Sequence, residues 1–480
     1  MKAYEWKPIE DLPADWTKLA SSELAGLASV WREHYETVKD GKALKQFNER
    51  LRREWAIETG IIENLYYIDR GVTLTLIEKG IEASLIPHGS TDRPAELIVP
   101  ILKDQEEVVT GLFDFVGQKR QLSTSYIKQL HQALTQHQRT TAARDSFGQD
   151  VEVELLRGDW KKLPNNPTKS DGSIHEYCPP EQVASEMDQL IAWHQEHLEK
   201  QVPPELEAAW LHHRFTQIHP FQDGNGRMAR TLASLIFLRA GLFPLVVHLE
   251  DRDEYLDILL QADFSDLKPF VQFISRAQKR AINQALSLSE NILLENAPIE
   301  QVIAAAAKQL KTKRQGISSS FLVVETLVEK TKEKLSELSP KLNQQLNIID
   351  RQYKASLSFS NQSSHHNLDP QIANLSNKMG YFADTQRFSK FVSLTIVEEH
   401  QAVISFSFHA LGKGSTGVYA ALAFIQYYPL QSGAVSDPFP LSQEIFQFAE
   451  NEPEKAVIER FNSWLDEVTL NGLNHGRQQL

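Results

Sequence analysis

The sequence predicts a mainly α protein whose last third is an α+β domain. Three observations carry that expectation. Apolar residues recur at three- and four-residue spacing through residues 15–80, 183–194 and 203–288, the period of helices with one buried face. After residue 390 the run FVSLTIVEEHQAVISFSFHALGKGSTGVYAALAFIQYY alternates with period two, as adjoining strands do. Between these regions, residues 150–180 are rich in Pro, Asn, Gly and Ser, which reads as a strand-turn-strand excursion on the surface.

Taken in order, the first helical region places Leu19, Leu24, Leu27, Val30 and Trp31 on an apolar stripe. LIVPIL leads into a second helical stretch, LSTSYIKQLHQALTQH. After the excursion, Val183, Met187, Leu190, Ile191 and His194 mark one face of a further helix. Residues 299–350 alternate alanine-rich and charged segments. No clean heptad is sustained, so packed helices with a solvated face are expected rather than a dimerising coiled coil. SFSNQSSHHNLDP reads as a polar linker, and its adjacent His365 and His366 lack metal-ligand spacing. EKAVIERFNSWLDEV forms a terminal helix. The expected domains are an N-terminal helical region over 1–100, a core over 101–285, a helical connector over 286–358 and an α+β domain over 359–480.

A net charge of −13 argues against a broad nucleic-acid-binding face. The single cysteine, Cys178, excludes an intrachain disulfide and fits a reducing compartment. The start, MKAYEWKPIEDLP, lacks the apolar segment of a secretory signal. The most apolar stretch, TLASLIFLRAGLFPLVVHL, is interrupted by Arg239, Gly241 and Pro244, so it reads as a buried helix and its successor. A cytoplasmic protein that engages neither nucleic acid nor membrane is expected.

The chemistry concentrates in FTQIHPFQDGNGRMAR, residues 215–230. Pro220 disfavours helical geometry at His219, so a helix should stop near Ile218. Gly224 and Gly226 allow unusual backbone angles and leave room for close approach to the main chain. Helical spacing resumes through Met228, Leu232, Leu235 and Ile236, which puts unpaired amides and a helix dipole at the loop, a ready anion site. Arg227 and Arg230, three apart, aim bidentate donors to one side. Cations at a helix start oppose the dipole unless a multiply charged anion lies between them. Asp223 would repel phosphate unless a hard cation such as Mg²⁺ bridged the two. His219 can take a proton near neutral pH. These parts suit attack by a hydroxyl on a Mg²⁺-bound nucleotide, chemistry that rests on positioning and charge stabilisation.

The run His219–Arg230 resembles the Fic family signature HxFx(D/E)GNGRxxR, with every specified position matched. The likeness extends over roughly residues 110–280, through LHHRFTQ and EYLDILLQADFSDLKPFVQFI. The resemblance implies a helical Fic fold with a β-hairpin flap, and transfer of AMP from ATP to a Ser, Thr or Tyr hydroxyl of a protein with release of pyrophosphate. Carried over by position, His219 is the general base and Asp223 binds Mg²⁺. The backbone of Gly224, Asn225 and Gly226 holds the phosphates. Arg227 contacts the α/β-phosphates, Arg230 the γ-phosphate, Phe221 anchors the loop and Tyr255 lies near the adenine.

Residues 155–180 resemble the flap of a common Fic subgroup, with Trp160, Lys161, Pro164, Asn165, Gly172, His175 and Pro180 at the corresponding places. Such a flap aligns a target segment by strand addition, and Lys161 and His175 are candidates for exposed target contacts. TGIIEN, Thr59–Asn64, matches the family's inhibitory pattern (S/T)xxxE(G/N). Thr59 and Glu63 are four apart, on one helical face, within an inhibitory helix of about residues 55–68. The resemblance pairs Glu63 with Arg230, where its carboxylate would exclude the γ-phosphate. Self-modification and homo-oligomers are further implications. The signature also admits phosphoryl or other nucleotide transfer, AMP removal, or an ATP-binding interaction protein with little turnover. In the C-terminal third, GKGSTG at 412–417 lacks the order of a phosphate loop and reads as a hairpin turn. The domain around it is expected to serve target choice or self-association.

Overall fold

The computed structural model describes residues 4–118, 120–144, 149–168, 172–288, 319–350, 353–359, 368–397, 400–413, 416–429 and 435–478. Residues 289–318 of the predicted connector lie outside them, as do His365 and His366. Two compact units are present: Met1–Ser21 with Gln46–Gln278, and Ser22–Lys45 with Lys279–Leu480. This division cuts through the expected N-terminal region 1–100. Among the described residues, no helix is long and apolar enough to cross a membrane.

The first unit is helical. It contains α2 (Lys42–Ile62) from Gln46 onward, α3 (Arg70–Lys79), α4 (Ala95–Gly117), α5 (Thr124–Leu134), α6 (Val183–Glu199), α7 (Pro204–Ile218), α8 (Asn225–Arg239), α9 (Arg252–Asp263) and the start of α10 (Lys268–Leu286). LIVPIL lies inside α4, where Pro100 removes one helical donor without ending the helix. α8 is buried on nearly every side, which explains its continuous apolar run.

Two strands, β1 (Thr140–Arg144) and β2 (Asp150–Glu154), form an antiparallel ribbon with Thr141 opposite Val153. The ribbon therefore precedes the segment 155–180 in which a hairpin was expected. Among the described residues, the strand pairing in that segment is the isolated antiparallel bridge Thr168↔Ile174. Its prolines, Pro164, Pro167, Pro179 and Pro180, withhold ladder donors, whereas TTAAR and DVEVE contain none.

In the second unit, strands β3 (Lys354–Phe359), β4 (Ala383–Val397), β5 (His400–Leu411), β6 (Val418–Pro429) and β7 (Phe439–Pro440) lie in that order, with β8 (Phe446–Ala449) also paired to β6. α11 (Ser319–Ile349) and α13 (Glu454–Gln478) pack Leu327, Leu335, Val457 and Phe461 against Val392, Phe406 and Phe408. α12 (Asp369–Lys378) covers Leu422 and Phe424, which point the other way on β6. The helix α1 (Ser22–Val38) belongs to this unit and places Gly26 against Ala449 of β8. Gly412 and Gly417 take positive φ between β5 and β6, a strand connection rather than the start of a helix.

Candidate active site

α7 ends at Ile218 and His219 turns into the left-handed region (φ 52°, ψ 57°). Pro220 cannot continue a helix, so the chain leaves through an irregular loop. Phe221 is fully buried and its ring stacks on His131 of α5, with centroids 3.7 Å apart. Asn225 closes the loop: its side-chain oxygen accepts from the Phe221 amide at 2.9 Å and its nitrogen donates to the Phe221 carbonyl at 2.8 Å. Gly224, at φ 77°, caps the start of α8. The amides of Asn225, Gly226 and Arg227 precede the first helical bond, from Met228 to Gly224, and so open toward the loop.

Arg227 is 1% exposed, and only its Nη2 is engaged, donating to Gln138 Oε1 at 2.7 Å. Nε and Nη1 are buried with no hydrogen-bond partner among the described residues. A guanidinium with unanswered donors beside open amides is costly unless an anion completes it. The other end of Gln138 donates to Asp223 Oδ2 at 2.7 Å, as does Thr141 of β1 at 2.9 Å, while the Gly224 amide donates to Oδ1. Burial raises the Asp223 carboxyl, but Arg227, the Gly224 amide, Gln138 and Thr141 outweigh it, and the group stays ionised. A third of its side chain remains exposed.

His131 fixes this loop from below. The Gly158 amide donates to its Nδ1, so Nε2 carries the hydrogen and donates to the Asp223 carbonyl at 2.9 Å. Burial pushes its pKa down to about 4, so the ring acts as a neutral bracket.

Arg230, one turn further along α8, is 1% exposed. Its Nε donates to Thr59 Oγ1 and its Nη2 to the Thr59 carbonyl, both at 2.8 Å. Nη2 also donates to Glu63 Oε1 at 2.9 Å, and Nη1 to the Tyr255 hydroxyl at 3.3 Å. The Glu63 carboxylate rests on the start of α8: a methyl built on Gly226 would lie 2.1 Å from Oε1. Glu63 follows the last residue of α2. Asn64 takes φ 52°, and the amides of Asn64 and Leu65 bond back to Ile61 and Gly60 in a Schellman closure. The last position of the TGIIEN pattern is thus a left-handed one, which asparagine or glycine fills at low cost.

Tyr255 is 2% exposed and packs near Phe270 and Phe273, its hydroxyl 2.8 Å from His212 Nε2. The structure therefore places it behind Arg230 as a support, away from any surface that an adenine ring could reach. Lys161 and His175, expected to be exposed, are 4% and 7% exposed. Lys161 donates to Asn165 and to the Ile218 carbonyl, and Asn165 in turn donates to the Phe221 carbonyl. Loop carbonyls near His219 draw these polar groups inward. His175 stacks on Tyr4.

A second face of α2 is also fastened. His248 lies 2.9 Å from Glu54, the Leu249 amide donates to Glu58, and Arg252 donates to the Ile62 carbonyl at 3.0 Å. Glu54, Glu58 and Ile62 are successive four-residue steps along the helix. Burial opposes charge on His248, but Asp251 and Glu54 lift its pKa to about 9. None of Gln138, Thr141, His131, Tyr177, His248 or Arg252 was picked out from sequence.

Fold and loop together define a helical domain in which open amides and the Arg227 guanidinium meet at the start of α8. Part of that domain, residues 121–237, matches the Fic/DOC family, so the chain carries a Fic domain. It is similar to the protein adenylyltransferase Fic of Nematostella vectensis, with 36% identity over 108 residues, 22% of this chain and 25% of that protein. It is also similar to the protein adenylyltransferase fic-1 of Caenorhabditis elegans, with 34% identity over 118 residues, 24% of this chain and 23% of that one. The matched stretch thus spans about a quarter of the length of these relatives. Among solved structures, a Fic domain containing signaling protein from Bacteroides thetaiotaomicron aligns over 56% of this chain and 98% of its own, at 24% identity and a TM-score of 0.45.

Proposed function

We propose that the chain is a protein adenylyltransferase that transfers AMP from ATP to a Ser, Thr or Tyr hydroxyl of a protein, and that Glu63 restrains it. One observation carries the reading: the buried Nε and Nη1 of Arg227 lack partners among the described residues, beside the open amides of α8. A polyphosphate answers both. The α- and β-phosphates lie against Gly224, Asn225, Gly226 and Arg227, and the γ-phosphate takes the place of the Glu63 carboxylate on Arg230.

His219 removes the proton from the incoming hydroxyl. That oxygen forms a bond to the α-phosphorus, the bond from the α-phosphorus to the bridging oxygen breaks, and pyrophosphate leaves with the electron pair. The imidazole is neutral at physiological pH, because burial, and then Lys161, push its pKa down to about 3, and its Nε2 lone pair is open to a proton. Asp223 suits Mg²⁺: it is ionised, partly exposed, and Oδ1 has spare lone-pair capacity, while one carboxylate is a usual protein share for a cation that keeps its waters. When bound, the ion supplies charge neutralisation of the phosphates. The exposed Leu163 (76%) and Ile174 (51%) give residues 155–180 apolar contacts for a protein target. A cytoplasmic setting, self-modification and self-association complete the reading.

The test is transfer of label from α-labelled ATP in a lysate by E63G, compared with E63G/H219A. Labelling by the first alone, with an AMP-sized adduct by mass spectrometry, supports the reading. A phosphate-sized adduct points instead to phosphoryl transfer. Loss of AMP from a modified target points to its removal. Tight ATP binding with no transfer in E63G identifies a nucleotide-sensing interaction protein.

A further inference from the structure

Tyr177 covers one face of the imidazole that the reaction uses. The two rings lie 3.7 Å apart between centroids and within 9° of parallel. Its backbone is held firmly: the His175 amide donates to the Pro167 carbonyl, the Glu176 amide to the Tyr4 carbonyl, and the Tyr177 amide to Asn166 Oδ1. Three consecutive amides are thus bonded outside any regular strand, so the ring has a fixed seat. Lys161 Nζ lies 5.8 Å from the same ring.

His219 needs such a seat. It ends α7 in a left-handed conformation, outside the helix that precedes it. Its Nδ1 lies 3.1 Å from the Thr216 carbonyl, which can only accept, so Nδ1 carries the hydrogen and Nε2 keeps the lone pair. A single 3.1 Å bond leaves the ring free to rock about that contact; a stacked neighbour removes this freedom. Lys161, His175 and Asp223 are the other charged or titratable groups that act on it.

We propose that Tyr177 is a positioning residue for His219, whose stacked ring holds the imidazole plane so that Nε2 meets the target hydroxyl. The proposal rests on the adenylyltransferase reading for its catalytic consequence. The phenol oxygen has no part in it; the aromatic plane does the positioning.

Two readouts test it on the full-length chain. The first needs no activity: diethyl pyrocarbonate modifies His219, followed by peptide mass spectrometry. In Y177A and in Y177L, which keeps apolar bulk if alanine unfolds the segment, modification becomes several-fold faster; in Y177F it stays at the parent rate. The second is the AMP-transfer rate in the E63G background. E63G/Y177A and E63G/Y177L lose about tenfold or more in kcat, with KM for ATP little changed, and E63G/Y177F recovers the parent rate. With the imidazole better hydrated, the acidic limb of the pH profile moves upward. Unchanged His219 modification in Y177A and Y177L overturns the proposal, and so does a parent-like kcat in both. If E63G and E63G/H219A transfer AMP equally, or not at all, the adenylyltransferase reading fails, while the modification rates still decide whether Tyr177 seats the imidazole.

Discussion

Glu63 and Arg230 form an ion pair, Oε1 to Nη2 at 2.9 Å, in which the arginine is 1% and the glutamate side chain 28% exposed. The carboxylate belongs to the C-terminal end of α2, where a negative charge is disfavoured, and it rests on the N-terminal start of α8, where one is favoured. It is bound by its neighbour and not by its own helix. In the proposed reaction a phosphate would compete for the same place with more charge.

Thr59 supplies Arg230 with two of its bonds, one from the side chain and one from the carbonyl. Replacing it with alanine strands the buried Nε donor, at a cost of roughly 1–3 kcal/mol. T59A should lower the urea midpoint, and in the E63G background it should weaken ATP binding because the guanidinium is less fixed. T59S should restore both. Equal midpoints for T59A and the parent would defeat this account.

Gly226 is the position where no side chain fits. G226A places a methyl in the space now held by the Glu63 carboxylate. It should dislodge Glu63 yet give no gain in transfer, since the methyl also occupies the anion's place. In E63G/G226A, AMP transfer should fall by at least about a hundredfold, in line with the loss of a preorganised anion site. Transfer matching that of E63G would show that the amides of α8 do not hold the phosphates.

Arg252 ties the last carbonyl of α2 to the start of α9. R252A should loosen the end of the helix and raise AMP transfer in the parent chain, within the 5- to 150-fold range of about 1–3 kcal/mol of coupling. In the E63G background the same substitution should add nothing. Additive increases in the double variant would separate Arg252 from the restraint.

His248 gives the same fastening a pH dependence. Its pKa is about 9 in the folded chain against about 6.5 for a free histidine. Its contribution is therefore fully present below about pH 6.5 and is lost as the pH rises through 9. AMP transfer by the parent, divided by that of E63G at each pH, should climb toward pH 9 and beyond. H248Q should flatten that ratio, and superimposable profiles for H248Q and the parent would rule the fastening out.

The legible part of the site was its local part. Pro220, Gly224 and the arginines act on neighbours in the chain, and Thr59 with Glu63 share a helix face, so spacing alone exposes them. Gln138 joins Asp223 and Arg227 across 85 and 89 residues, and Tyr177 reaches His219 across 42; no local pattern encodes such contacts. Lys161 and His175 were misjudged because polar residues in a proline-rich segment are usually solvated. Here, Lys161 turns inward to the Ile218 carbonyl. Within the 150–180 excursion lie β2 and the antiparallel bridge Thr168↔Ile174, while β1 stands before it: composition marks where a chain turns, and not which flanking residues pair. In the C-terminal third, period-two alternation revealed the strands, whereas the pairing of β8 with β6 depends on the folded sheet.

The Schellman closure at Asn64 bears on how Glu63 could leave Arg230 under the proposed restraint. With the Leu65 amide bonded back to Gly60 and the Arg252 guanidinium on Ile62, the backbone on both sides of Glu63 is pinned. Any displacement of Glu63 that moves its backbone therefore requires one helical turn to fray. Under the proposed restraint by Glu63, an activator need not push the helix aside; making its final residues melt sooner would suffice.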